Sequence, residues 1–368
     1  MSLFADIHAV QSVPPSNLNR DENGSPKTAI YGGVRRHRVS SQAWKKSIRD
    51  YYNENFAGDN RSFRTKNVAS LVTTELLRLK PELEEVEAKA QVRAALVTLK
   101  IIGAKGAEKE GASNDALFLI SQKQIEGIAL GLSEGNDTKA LSASLAQSNS
   151  LDLALFGRMV AENKNLNVEA ACQFAHALST HAVANEFDYF TAADDFSETD
   201  HAGAAMIGDI EFNSSTLYRF ASINVSELSK SFSADAEVVA KAISNFLEAF
   251  VRAIPSGKQN SFAARTLPSL LLVTLRSDQP TSYAGAFEKP VVALGDGNIT
   301  PSIVALANHA AELKEAYGDD SAKTFAVVID SNSDSAEAVA KIATILNLKD
   351  LESAVVAEMT KQIAGSDS

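Results

Sequence analysis

The stretch PPSNLNRDENGSPKTAIYGGVRRHRVSSQAWKKSIR, residues 14–49, decides how this chain is read. Pro14 and Pro15 close a strand. The following residues, 16–39, read as a long structured loop that contains Gly32-Gly33 and a short hairpin near Val34–Val39. Ser40 or Ser41 then has the character of an N-cap. From Gln42 to Tyr52 the pattern is helical, with Trp44 and Ile48 on one face. Strand, loop, hairpin and capped helix in quick succession predict a mixed fold in which a helix packs on a sheet.

Upstream, Leu3, Ala5, Ile7 and Ala9 alternate with Phe4, Asp6, His8 and Val10, which is strand periodicity. Downstream, from about 66 to 182, the texture is helical. Val68, Leu71, Val72, Leu76 and Leu79 recur at helical spacing, and further helices fit 82–101, 114–132, 137–147 and 168–180 with no strand between them. Strand character returns in EFDYFTA (186–192) and GDIEF (208–212), so 185–212 reads as an extended hairpin or protruding arm. TLYRFASINV (216–225), SLLLVTLRS (269–277) and FAVVI (325–329) read as strands, and helices are expected at 234–253, 301–317, 335–346 and 350–363. This order fits a split βαβ, ferredoxin-like α+β core carrying insertions.

The chain has 368 residues and a formal charge of −11, yet residues 1–66 carry a balance of +5 and the rest −16. Lys27, Arg35, Arg36, Arg38, Lys45, Lys46 and Arg49 fall in one window without Asp or Glu. Such asymmetry marks a polyanion site on an otherwise repelling body. The acidic remainder argues against a general DNA coat. The 45% hydrophobic and 22% charged content is that of a globular protein. The single cysteine, Cys172, excludes an internal disulfide, and its apolar neighbours predict burial. With no apolar run of bilayer length and no signal-peptide pattern at the N-terminus, a cytoplasmic protein without a membrane partner is expected.

Within 32–49, Gly32 and Gly33 allow close backbone approach to a ligand, and Arg35, Arg36 and Arg38 supply guanidinium forks for phosphate oxygens. The Ser40-Ser41-Gln42 step opens a helix whose free N–H groups attract anions, and Lys45 and Arg49 share one helix face. The bland alternative is a solvated basic face. In the arm, Tyr189 and Phe190 point to opposite faces of a strand, so one is read as core and the other as free to meet bases. Lys258, in a loop after Pro255 and Gly257, is a weaker candidate. The six histidines form no metal-ligand spacing, no phosphate-binding GxxxxGK[ST] loop is present, and nothing demands an enzyme, a metal or a cofactor.

Residues 14–49 closely resemble the N-terminus of CasC, the repeated backbone subunit of the type I-E CRISPR surveillance complex, Cascade. The resemblance resumes at ALFGRM (154–159), AHALSTHAV and FDYFTAADD (175–195), YRFASIN (218–224) and GKQNSFAA (257–264). It implies an RRM-like palm (1–60 and 182–368), helical fingers (61–181) and a hairpin thumb (185–214). It further implies a filament of copies along a CRISPR guide RNA, with target DNA reached through the guide and other Cascade subunits as partners in an antiviral ribonucleoprotein. Carried onto this sequence, Lys27, Arg35, Arg36, Arg38, Ser40, Gln42, Lys45, Lys46 and Arg49 would grip the guide backbone. Phe190, Thr191, Met159 and Ile207 would bracket a displaced base, and Lys258 would touch the same groove. Val34 stands where some relatives carry a basic residue, and Tyr189 where some carry tryptophan. The rival readings are an RRM-like endoribonuclease that processes CRISPR transcripts and a protein-only scaffold.

Overall fold

The computed structural model describes residues 2–56, 58, 61–103, 117–147, 149–160, 163–192, 206–232, 235–293, 295, 297–318, 322–329 and 333–366. In chain order the elements begin with strands β1 (Phe4–Ser16), β2 (Thr28–Tyr31) and β3 (Val34–Val39) and helix α1 (Ser41–Asn55). Next come β4 (Ser62–Thr65), α2 (Val68–Leu79), α3 (Glu85–Thr98), β5 (Phe118–Ser121), α4 (Gln122–Ser133), α5 (Thr138–Gln147) and α6 (Leu151–Phe156). Then follow β6 (Cys172–Phe174), β7 (Ala177–Ser179), β8 (Glu186–Ala192), β9 (Met206–Asn224), α7 (Val225–Ser231), α8 (Ala236–Arg252) and α9 (Gln259–Phe262). The last are β10 (Leu270–Arg276), α10 (Ile299–Tyr317), β11 (Lys323–Val328), α11 (Ser333–Ala340), β12 (Thr344–Ile345) and α12 (Leu348–Ser366).

The chain forms two compact units. One holds Met1–Ile48, Phe174–Ser222 and Phe246–Ser368; the other holds Arg49–Gln173 and Ile223–Asn245. The first is built on a large mixed sheet ordered β12-β11-β10-β1-β9-β7-β3-β2, with β8 paired to β9 off this path. β1 and β10 run antiparallel, pairing Phe4 with Arg276 through to Val10 with Leu270. β11 and β12 run parallel. Because β9 alternates, its residues feed two cores. Tyr218 and Phe220 join Val10, Leu272, Phe287, Ile303 and Leu306 under α10. Leu217 joins Val13, Leu18, Val39 and Trp44 under α1.

The second unit is mainly helical. Val72, Leu76, Val92, Leu96, Ile120 and Ile128 from α2, α3, β5 and α4 form its core. The turn from β5 into α4 is fixed by a capping box: the Gln124 N–H donates to Ser121 Oγ and the Ser121 N–H donates to Gln124 Oε1.

The α+β class stands, and most strands and helices lie where periodicity placed them. Four expectations fail. The 66–182 stretch does contain strands, since β5 pairs with β4, and 168–180 is not helical but carries β6 and β7. Short apolar runs of this kind suit a buried strand as well as a helix, and pairing of β7 with β3 and β9 decides between them. The helix expected at 335–346 stops at Ala340, because Ile345 pairs with Ala326. Finally, β1 continues through Pro14 and Pro15, both exposed, beyond the last pair with β10 at Val10. Prolines are tolerated there because no ladder bond to β10 is asked of them. Cys172 is buried, as its apolar neighbours predict.

Candidate nucleic-acid interface

The loop after β1 is an ordered scaffold, and its asparagines and aspartate build it. The Asn17 amide donates to the carbonyls of Gly24 and Glu211, each at 2.8 Å, which ties the loop to the foot of the β8–β9 hairpin. Asn19 Oδ1 accepts the Ser40 N–H at 2.9 Å, and its carbonyl accepts the Lys27 N–H. Asp21 Oδ1 accepts from the N–H groups of Asn23 and Ser25, the local turn such residues favour. Sequence reasoning missed these roles. The Asx-rich NLNRD string is the signal that could have found them.

β2 and β3 form a hairpin in which Tyr31 pairs with Val34, leaving a two-residue turn. Gly32 and Gly33 both take positive φ (59° and 78°), which a tight turn of this hand requires. A Cβ at Gly32 would collide with the Glu288 carbonyl. The close approach expected of Gly32 is therefore to the chain's own backbone.

The basic residues separate into two kinds. Arg36 is wholly buried: its guanidinium donates to the carbonyls of Tyr31 (3.2 Å), Ser179 (3.0 Å), Phe287 (2.8 Å) and Glu288 (3.4 Å). Burial holds its pKa below the ordinary arginine value. With these donors turned inward, Arg36 is a structural clamp, and its place among phosphate contacts is withdrawn. Arg35 is exposed near the turn. Arg38 is half-buried; its Nε donates to the Thr28 carbonyl (3.3 Å) and its Nη1 to His176 Nδ1 (3.2 Å). The Arg38 N–H donates to the carbonyl of Lys27, which draws the half-buried Lys27 alongside. His176, exposed at the entry to β7, is a member of this cluster that sequence reasoning passed over.

Ser40 is the cap of α1. Its Oγ accepts the Ala43 N–H at 3.4 Å and its carbonyl accepts the N–H groups of Ala43 and Trp44. Trp44 and Ile48 are buried beneath the helix. Gln42 and Lys46 are exposed and Lys45 is half-buried. Arg49, one turn beyond Lys45 on the same helix, belongs to the second compact unit. Gly257 packs against the carbonyls of Asn17 and Leu18, and beside it Lys258 holds φ +52°, a conformation rare for a residue with a side chain. Loop 17–26, Lys27, Arg38, Ser40 and Lys258 thus share one framework.

In the hairpin, β8 pairs with β9 from Glu186–Phe212 to Ala192–Met206. Phe187, Tyr189 and Thr191 lie on one face; Asp188 and Phe190 lie on the other. Phe187 and Tyr189 are 66% and 65% exposed, so neither is core. The Phe190 ring lies over Gly208, where a Cβ would meet it at 2.6 Å, so the ring keeps this position only while residue 208 has no side chain. Phe190 and Thr191 accordingly face opposite ways. Ile207 pairs with Thr191 through its backbone, but its side chain and the arm tip at 193–205 lie outside the described residues.

Met159 lies in the second unit and is 88% exposed. Its neighbour Arg158 is buried, donating to the carbonyls of Leu166 and Leu119 and to Gln124 Oε1, over the Phe118 ring. Burial lowers the Arg158 pKa to about 10. The inward arginine and the outward methionine alternate along one extended segment.

The chain matches the model of a CT1975-like protein over residues 5–354. It is similar to a chain solved in a "CRISPR RNA-guided surveillance complex, pre-nicking", with 32% identity, a TM-score of 0.85 and coverage of 97% of this chain and 100% of that one. A second, from a "CRISPR RNA-guided surveillance complex", is 29% identical with a TM-score of 0.64, covering 96% and 99%. No curated relative matches.

Proposed function

The chain belongs to the CT1975-like protein family, and from that premise we propose that it is a backbone subunit of a CRISPR RNA-guided surveillance complex, of the CasC type. Copies stack along the spacer of a guide RNA and present it to target DNA beside the complex's other subunits, in the cytoplasm. The observation that carries this reading is the separation of the basic segment into an inward Arg36 and outward or half-outward Lys27, Arg35, Arg38, Lys45 and Lys46 on one loop–hairpin–helix framework.

Cations spaced along such a framework suit a sugar-phosphate chain, which they bind without reading its sequence; base pairing supplies specificity. Ser40 and Gln42 add donors at the start of α1, Arg49 extends the row, and Lys258 joins from its loop. The hairpin serves as the thumb, with Phe190, Thr191 and Ile207 at a guide base held out of line, and Met159, exposed on the second unit, is a separate candidate for contact with RNA. The subunit acts by holding and shaping RNA rather than by cleaving it. The negative remainder of the chain limits unspecific nucleic-acid binding by other surfaces.

The test is purification of the full chain with its partner subunits and a guide transcript. Co-purifying RNA of guide length, lost on Lys45→Glu with Arg49→Glu, supports the reading. Unchanged RNA in that double variant counts against it, as does cleavage of a repeat-derived hairpin by the purified chain.

A further inference from the structure

His176 stands against Arg38 in an arrangement whose proton chemistry is fixed by its partner. A guanidinium can only donate, so the 3.2 Å contact from Arg38 Nη1 makes His176 Nδ1 the acceptor. The neutral imidazole therefore carries its hydrogen on Nε2. Protonation would place a second donor on Nδ1, facing the guanidinium, and the bond could not persist. The charged groups acting on the ring are Arg38 from β3 and Lys27 from the segment ahead of β2, both cations. With partial burial they hold its pKa below the ordinary 6.5, burial being the larger cause. The ring itself is exposed, so a ligand reaching Arg38 and Lys27 also reaches His176.

We propose that His176 is a positioning residue of the phosphate groove: neutral, it holds the Arg38 fork, and when a phosphate arrives it takes up a proton, releases the fork and donates to the same anion. A phosphate between Lys27 and Arg38 supplies the negative charge that both cations deny the imidazole in the free chain. The ring then gains a proton on binding. By linkage, affinity for a polyphosphate chain rises as pH falls, over the window bounded by the lowered value of the free chain and the higher value of the bound one. The inference rests on the RNA-binding reading above and adds to it a proton-coupled residue.

The experiment uses the full chain and single-stranded oligouridine, whose bases do not protonate in this range. Binding is followed by calorimetry in two buffers of different ionisation enthalpy, which counts protons taken up, and by anisotropy from about pH 8 to about pH 6. The wild type is expected to take up a fraction of one proton and to bind at least about threefold tighter at the lower pH. His176→Asn keeps an acceptor where Nδ1 lies but cannot protonate. It is expected to lose both the proton uptake and most of the pH dependence, whatever its affinity near pH 8. His176→Ala, which removes the acceptor, is expected to weaken binding near pH 8 as well. Equal proton uptake by wild type and His176→Asn overturns this inference alone. Failure of the wild type to bind oligouridine at any pH overturns the groove reading and this inference with it.

Discussion

The guanidinium carbon of Arg219 lies 3.8 Å from the centre of the Trp44 ring and 4.1 Å from that of the Phe250 ring. Arg219 is fully buried, donates to Gln11 Oε1 and the Phe250 carbonyl, each at 2.6 Å, and has its pKa lowered by burial to about 9. No carboxylate pairs with it among the contacts described, so the aromatic faces and two oxygens stabilise the cation. This stack fixes the first turns of α1, which carry Gln42, Lys45 and Lys46, against β9. Trp44→Ala is expected to cost about 3–5 kcal/mol in urea unfolding. Arg219→Lys is expected to recover little, because an ammonium cannot stack flat on an aromatic ring as a guanidinium does. Both variants are expected to reduce guide RNA retention even though neither side chain is exposed.

Much of this was legible. Alternation in 216–225 and the apolar run 269–277 marked β9 and β10, and the serines ahead of Gln42 marked the start of α1. The division of the basic cluster was not legible, because it depends on what lies across the sheet. Arg36 turns inward only because the carbonyls of Ser179, Phe287 and Glu288, more than a hundred residues away, surround it. The histidine spacings exclude a metal site but say nothing of the pairing of His176 with Arg38, which is 138 residues distant. The strands at 172–179 escaped for the same reason: their character comes from neighbours, not from their own sequence.

Arg35 and Arg36 are adjacent and chemically alike, yet the structure assigns them opposite consequences. Arg35→Gln is expected to weaken RNA binding and to flatten the dependence of log affinity on log salt by about one contact. Arg36→Gln is expected to leave the salt slope unchanged while costing about 3 kcal/mol of stability, since buried carbonyls lose their donors. Salt titration and urea unfolding of both variants separate the two roles. Loss of salt slope in Arg36→Gln would show its guanidinium on the RNA.

The ring of Phe190 is set by Gly208 rather than by the protein core. Phe190→Ala is expected to leave guide RNA bound while weakening pairing with target DNA, because in the proposed role the ring acts on a displaced base and not on phosphates. Gly208→Val is expected to mimic it by pushing the ring aside, with fold and guide retention intact. Comparing guide content on a denaturing gel with target affinity in a mobility shift checks both. Equal loss of guide and target would place Phe190 in the backbone grip instead.

Two buried histidines make the fold acid-sensitive in a calculable direction. His8 stacks on Tyr283 at 4.2 Å and bonds the Tyr218 hydroxyl through Nδ1, and burial, aided by Arg276, lowers its pKa to about 3. His37 bonds Ser215 Oγ at 2.8 Å, and burial, aided by His181, lowers it to about 4. Each is neutral in the fold but protonates near 6.5 once unfolded, so the stability it contributes is complete above 6.5 and lost as pH falls. At about pH 5 the loss is about 2 kcal/mol per histidine. Asp6 works the other way. Burial raises its pKa to about 6, so protonation between 6 and 3.8 favours the fold and returns roughly 1 kcal/mol by the same pH. The net expectation is a loss of about 3 kcal/mol between about pH 7 and pH 5, read from urea midpoints. His37→Asn, which cannot protonate, is expected to remove about 2 kcal/mol of that difference whatever its stability at neutral pH. An unchanged difference would mean that His37 is charged within the fold.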